Sequence, residues 1–94
     1  MKNKFYTFED HLKESLKDPE FKKVWEEAEP EYLLAKELIK KRREKKMSQR
    51  DLAKRLKTSQ AVISRIETMT ANPSLSLLKR IAKVLDTNLQ VNFK

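Results

Sequence analysis

The stretch from Ser48 to Glu67 constrains this chain most. Two short segments with the apolar spacing of helices follow each other, with only Lys57-Thr58 as the turn between them. Ser48 stands where a hydroxyl can cap the first segment, and Asp51, three residues on, completes the spacing of a capping box. Leu52, Ala53 and Leu56 make that segment's apolar stripe. Ser59 can cap the second segment, whose Val62, Ile63 and Ile66 form the side to be buried. Gln60, Ala61, Ser64 and Arg65 are left on its outer face.

Two helices joined by so short a turn are the unit that sets a recognition helix in the major groove of DNA. Gln60 begins the second helix, and its amide can bond adenine at two edge positions. Arg65, about one turn on, can reach a guanine or a phosphate, and Ala61 can touch a thymine methyl. Each also has a plainer explanation: a polar residue near a cap, an exposed ion-pairing side chain, a good helix former. Lys57, Thr58 and Ser64 are candidates for the phosphate backbone.

These residues resemble the Xre-type, lambda-repressor-like helix-turn-helix family. The marks are Gln49, Leu52-Ala53, Ser59-Gln60 and the run Val62-Ile63-Ser64-Arg65-Ile66-Glu67, and the likeness extends over about residues 31–85. The resemblance implies an all-α, five-helix domain, with Gln49 and Ser59 meeting the DNA backbone at two helix N-termini. It also implies an ion pair between Arg42 and Glu67 that serves the scaffold and touches no base. The family has Gly in the turn and just after the preceding helix, where this chain has Lys57 and Lys46; it contains no Gly at all. If both backbones are left-handed there, each residue costs roughly 1 kcal/mol or more.

Charge divides the 94 residues unevenly. Residues 1–30 carry 6 Lys/Arg against 8 Asp/Glu, a balance of −2, while residues 31–94 carry 16 against 6, a balance of +10. The basic part fits phosphate binding, although lysine runs alone also occur on any solvated surface. With no cysteine and one histidine, His11, a metal site and a disulfide frame are not expected. No grouping of nucleophile and base and no Gly-rich phosphate loop occurs, so neither an enzyme nor a cofactor is expected. No apolar run approaches the ~20 residues that span a bilayer, and no signal-peptide core is seen. The expected setting is the cytoplasm.

Ahead of this unit lie Thr7, a candidate cap, and the stripe Phe8, Leu12, Leu16. Asp18-Pro19-Glu20 starts a second helix with Phe21, Val24, Trp25 and Ala28 on one face. Glu29-Pro30-Glu31 is expected to restart the chain as a helix from about Pro30 to Lys45, with Leu34, Ala35, Leu38 and Ile39 inward. After the polar loop from Thr68 to Pro73, Ser74 to Leu85 reads as a last helix with Leu75, Leu78, Ile81, Ala82 and Leu85 inward. The tail Leu89-Gln-Val-Asn-Phe93 alternates like a half-buried strand, and no second strand signal appears to pair with it.

The arm carries Phe5, Tyr6, Phe8, Phe21 and Trp25, aromatic residues that either thicken the core or anchor a partner. Leu16-Lys-Asp-Pro-Glu-Phe21, Val24-Trp25-Glu26 and Pro30 to Ile39, with Pro73 to Ala82 and the tail, are similar to HigA-type antitoxins. That resemblance implies a partner, a HigB-type mRNA-cleaving ribonuclease toxin of the RelE superfamily, and a homodimer that represses its own operon at an inverted-repeat operator. Residues 1–30 are then the expected toxin-binding arm, through Phe8, Leu12, Leu16, Phe21, Trp25 and Glu26. Residues 31–88 are the DNA-binding domain. Residues 89–94 are the dimerisation strand, through Leu89, Val91 and Phe93. The alternatives are an Xre-type repressor without a toxin, and an adaptor that uses the same helices for protein contacts only.

Overall fold

A computed structural model describes residues 8–93, with side chains described from Asp10 onward. It is all-α. The helices are α1 (Phe8–Ser15), α2 (Pro19–Glu44), α3 (Gln49–Leu56), α4 (Gln60–Glu67) and α5 (Leu75–Val84). The chain divides into two compact units, residues 1–30 and 31–94. Thr7, Phe5 and Tyr6 lie outside the described residues, as does the side chain of Phe8.

In residues 31–94 the core is built from the stripes that the sequence marks. Leu38 of α2, Leu52, Ala53 and Leu56 of α3, Ile63 and Ile66 of α4, Ile81 of α5, and Leu85 just after it form one buried cluster. Leu52 and Ile63 have no solvent exposure. Helices of eight residues are marginal by themselves, so α3 and α4 exist because each covers the other's stripe. The Arg80 guanidinium donates to the carbonyl of Leu56 and ties α5 to the end of α3.

Ser48 and Ser59 cap α3 and α4 as expected, and Ser74, expected as the first residue of the last helix, is the cap of α5. Ser48 Oγ accepts from the Asp51 amide at 2.9 Å while Asp51 returns a bond to the Ser48 amide at 3.0 Å, closing the capping box. Ser59 Oγ accepts from Val62 at 3.4 Å, and Ser74 Oγ accepts from Leu77 at 3.0 Å.

Helix ends share one device. Lys46, Lys57, Met69 and Asp86 are all left-handed, with φ between 54° and 65°. Each donates its amide to the carbonyl three residues back: Arg43, Lys54, Ile66 and Lys83. The next residue in each case bonds five back: Met47 to Arg42, Thr58 to Ala53, Thr70 to Arg65 and Thr87 to Ala82. This is the Schellman ending, which glycine normally serves because it has no Cβ to clash. Here four residues with side chains take that conformation, including the two Lys positions where left-handed backbone was at issue. The carbonyls they satisfy would otherwise end their helices without partners.

Three expectations need correction. The C-terminal strand does not form: Leu89 to Phe93 have no strand structure, and Val91 and Phe93 are 64% and 97% exposed. A strand's amides and carbonyls need a neighbouring strand, and none is present among the described residues. Pro30 does not restart a helix but lies inside α2. Proline's φ is that of a helix, so the helix continues with one backbone bond missing. Leu75 is 56% exposed and does not face the core. It is the first residue of α5, one turn before Leu78, and Leu77 packs against the core instead.

Candidate nucleic-acid interface

The outer face of α4 is made available by the burial of its inner face. With Ile63 and Ile66 in the core, the helix period leaves Gln60, Ala61 and Arg65 exposed and Ser64 half-buried. Gln60 and Ala61 occupy the first turn, immediately after the Ser59 cap. Lys57 projects from the turn as an exposed side chain, with Thr58 half-buried beside it. Lys57 takes φ 57° and ψ 43°, which turns the chain sharply enough for Ser59 to cap α4 two residues later.

Below that face lies a buried polar centre. Arg42 reaches Glu67 with two parallel bonds, Nε to Oε2 at 2.7 Å and Nη2 to Oε1 at 3.0 Å. Its Nη1 donates to the Met47 carbonyl at 2.7 Å. The side chains are 10% and 5% exposed, and the bonds to Glu67 raise the pKa of the Arg42 guanidinium against the opposing effect of burial. The pair holds the end of α2 to the end of α4. Sequence alone placed Arg42 and Glu67 together only through a family resemblance; in the structure the two side chains meet.

Gln49, the first residue of α3, takes part in the same centre. Its Nε2 donates to Glu67 Oε1 at 2.9 Å, and its Oε1 accepts from Gln60 Nε2 at 3.3 Å. Arg42, Glu67, Gln49 and Gln60 therefore form one continuous chain of hydrogen bonds from the core to the outer face. Sequence reasoning placed Gln49 at the phosphate backbone and missed this link. No local signal could reveal it, because the partners are 18 and 11 residues away. The far end of α4 is fixed by threonines: Thr68 Oγ1 donates to the Ser64 carbonyl at 2.9 Å, and Thr70 Oγ1 to the Arg65 carbonyl at 3.3 Å.

In the other unit, Leu12, Leu16 and Trp25 are half-buried, while Glu26 is exposed, Phe21 is 38% exposed and Val24 is 66% exposed. Among the described residues no group of three His, Cys, Asp or Glu side chains could hold a metal ion, and no helix is long and apolar enough to cross a membrane.

Residues 38–92 match the helix-turn-helix family, and the chain belongs to it. Within it the chain is similar to HigA-type antitoxins. It is 38% identical over 74 residues to the protein named Antitoxin HigA1 in two strains of Mycobacterium tuberculosis, a stretch that covers 79% of this chain and 50% of each relative. The chain thus spans about half the length of the curated relatives it matches. No solved structure matches it. The family is not one of enzymes, in agreement with the sequence reading.

Proposed function

We propose that this chain is an antitoxin that also represses transcription. It binds and neutralises a HigB-type, mRNA-cleaving ribonuclease toxin of the RelE superfamily. As a homodimer it binds an inverted-repeat operator and shuts down its own operon, in the cytoplasm. The observation that carries this reading is the reach of the likeness. Even if the 74 matched residues ended at residue 94, they would begin at residue 21, inside the arm that DNA binding does not require.

In this reading the two units divide the work. Residues 31–88 bind DNA: Gln60, Ala61 and Arg65 at base edges, and Gln49, Lys57, Thr58, Ser59 and Ser64 at phosphates. Residues 1–30, at −2, suit a basic RNA-binding toxin better than a unit at +10 does. Leu12, Leu16, Phe21 and Trp25, with Phe8, supply the apolar anchors, and Glu26 lies at the rim. Leu89, Val91 and Phe93, exposed in the single chain, form the seam of the dimer.

The test is co-expression of the full chain with the product of the neighbouring reading frame. Copurification and rescue of growth are expected. The chain carrying Phe21→Ala and Trp25→Ala should lose both while still shifting its operator. Full rescue by that variant would remove the arm from the toxin site. A chain ending at Asn88 should sediment as a monomer; a dimer would place the seam elsewhere.

A further inference from the structure

Two apolar surfaces of the second unit are left open in the single chain. One is the tail, where Leu89, Val91 and Phe93 are 37%, 64% and 97% exposed. The other is an open groove of about 260 Å³ between α4 and the start of α5, walled by Val62, Ile66, Ala71, Pro73 and Leu77. We propose that the groove receives the tail of a second copy of this chain, so that two chains exchange tails about a two-fold axis. This inference rests on the homodimer proposed above, whose seam is the tail, and deepens it by naming the surface that covers the tail.

The sizes agree. An apolar cavity of about 150 Å³ holds a benzene ring, so the groove has room for the Phe93 ring and an aliphatic neighbour. The tail of the same chain does not fill it. The groove lies at the N-terminal end of α5, where Ser74 and Leu77 line it, and the tail leaves the opposite end. The 10 residues of α5 set the two about 15 Å apart. Extended chain from Leu89 to Phe93 covers about 17 Å, so a return would consume the whole tail and bring only Phe93 to the groove. In the structure the tail does not return: every residue from Leu89 to Phe93 is exposed.

A second copy meets no such limit of reach. Arg65 also lines the groove, so the occupied site adjoins the outer face of α4. A two-fold axis has to pass close to that face if two copies of α4 are to read one inverted repeat. Two α5 helices packed face to face would not serve, because Lys79 and Lys83 stand exposed on α5 and would oppose their like. Two tails paired only with each other would make a two-stranded ribbon, which is marginal in water and leaves its apolar side bare. In the groove the same side chains are covered. The contact is isologous, each chain giving a tail and a groove. Five tail residues and eight groove residues on each side fall short of the roughly 20–30 of a standard interface. The free dimer is therefore weak, and operator binding completes it.

The chain has no cysteine, so introduced thiols report contacts without interference. Asn72→Cys marks the groove and Asn92→Cys marks the tail, both at exposed positions that leave the apolar side chains in place. The two full-length variants are mixed and treated with a short bis-maleimide. A covalent dimer that joins one Asn72→Cys chain to one Asn92→Cys chain is expected. Phe93→Ser, at a side chain 97% exposed in the single chain, should leave the melt unchanged and raise the dimer dissociation constant at least several-fold in sedimentation. A link formed within one chain of the double variant, with none between chains, would show that the tail fills its own groove and would overturn the proposal. Asn92→Cys chains joined to each other, with no link to Asn72→Cys in the mixture, would overturn the groove and leave the tail as the seam. A Phe93→Ser chain that dimerises as wild type does would overturn both.

Discussion

Every buried side chain among the described residues lies in the unit from residue 31 onward; between Asp10 and Pro30 there is none. Both regions are helical, and both carry apolar residues at helical spacing. The difference is what the stripes meet. In the second unit three short helices and the C-terminal part of α2 close over one cluster, and a bidentate ion pair fixes their ends. In the first unit the stripes remain half-buried, with Val24 mostly in solvent. One region closes its stripes into a core of its own. The other leaves apolar side chains partly in solvent.

The comparison is broken most severely at the ion pair. Arg42→Ala leaves the Glu67 carboxylate buried without its cation, and a loss of ~3–5 kcal/mol is expected in thermal or urea melts. Replacing both residues by apolar ones should cost much less. An unchanged melt for Arg42→Ala would mean the buried centre does not fix the fold.

At the reading face, Gln60→Ala should cost ~1–3 kcal/mol in operator binding and relax preference at one base pair. Lys57→Ala should weaken binding to all sequences and flatten the salt dependence. Fluorescence anisotropy at several salt concentrations separates the two; equal effects on all sequences from Gln60→Ala would contradict its assignment.

Helix ends offer a gain instead of a loss. Lys46→Gly and Met69→Gly relieve left-handed backbone at residues with a Cβ, and each should stabilise by up to about 1 kcal/mol. A lower melting temperature in both would show that those side chains contribute contacts exceeding the strain.

Smaller still is the expected effect of Val24→Ala, within about 0.5 kcal/mol on the melt of the free chain because the side chain is mostly exposed. On the function proposed above, the same change should weaken capture of the partner. A clear destabilisation would make the arm a folding element and erase the contrast between the regions.

The smallest effect concerns acid. Hydrogen bonds from the backbone and side chain of Ser48 hold the Asp51 carboxyl below the usual carboxylate range. A carboxyl with a lowered folded pKa adds stability that is present above its unfolded pKa and is lost as pH falls through the folded one. Asp51→Asn should therefore reduce the acid sensitivity of the melt below the ordinary carboxylate pKa. An identical acid profile would remove the capping box from the pH response.

Much of this was legible in the sequence because it is local. Ser48 and Ser59 cap helices through residues three positions on, and Leu52, Leu56, Ile63 and Ile66 reach the core because helical period alone puts them on one face. Lys46 and Lys57 stood out because a chain without Gly must still end its helices. The tail misled for the opposite reason. Leu89, Val91 and Phe93 alternate as a strand does, but alternation supplies only the side chains of a strand, and its hydrogen bonds depend on a neighbour.

The sequence by itself determined α3 and α4, their caps and the face that α4 turns outward, since each follows from residues within a turn or two of one another. The tertiary structure decided what lies behind that face. Arg42, Gln49, Gln60 and Glu67 come from three helices, up to 25 residues apart, and they meet only when the helices pack. Once packed, Gln49 donates to the Glu67 carboxylate and accepts from Gln60. No spacing rule encodes that order, because hydrogen bonds between side chains depend on where the chain brings them in space.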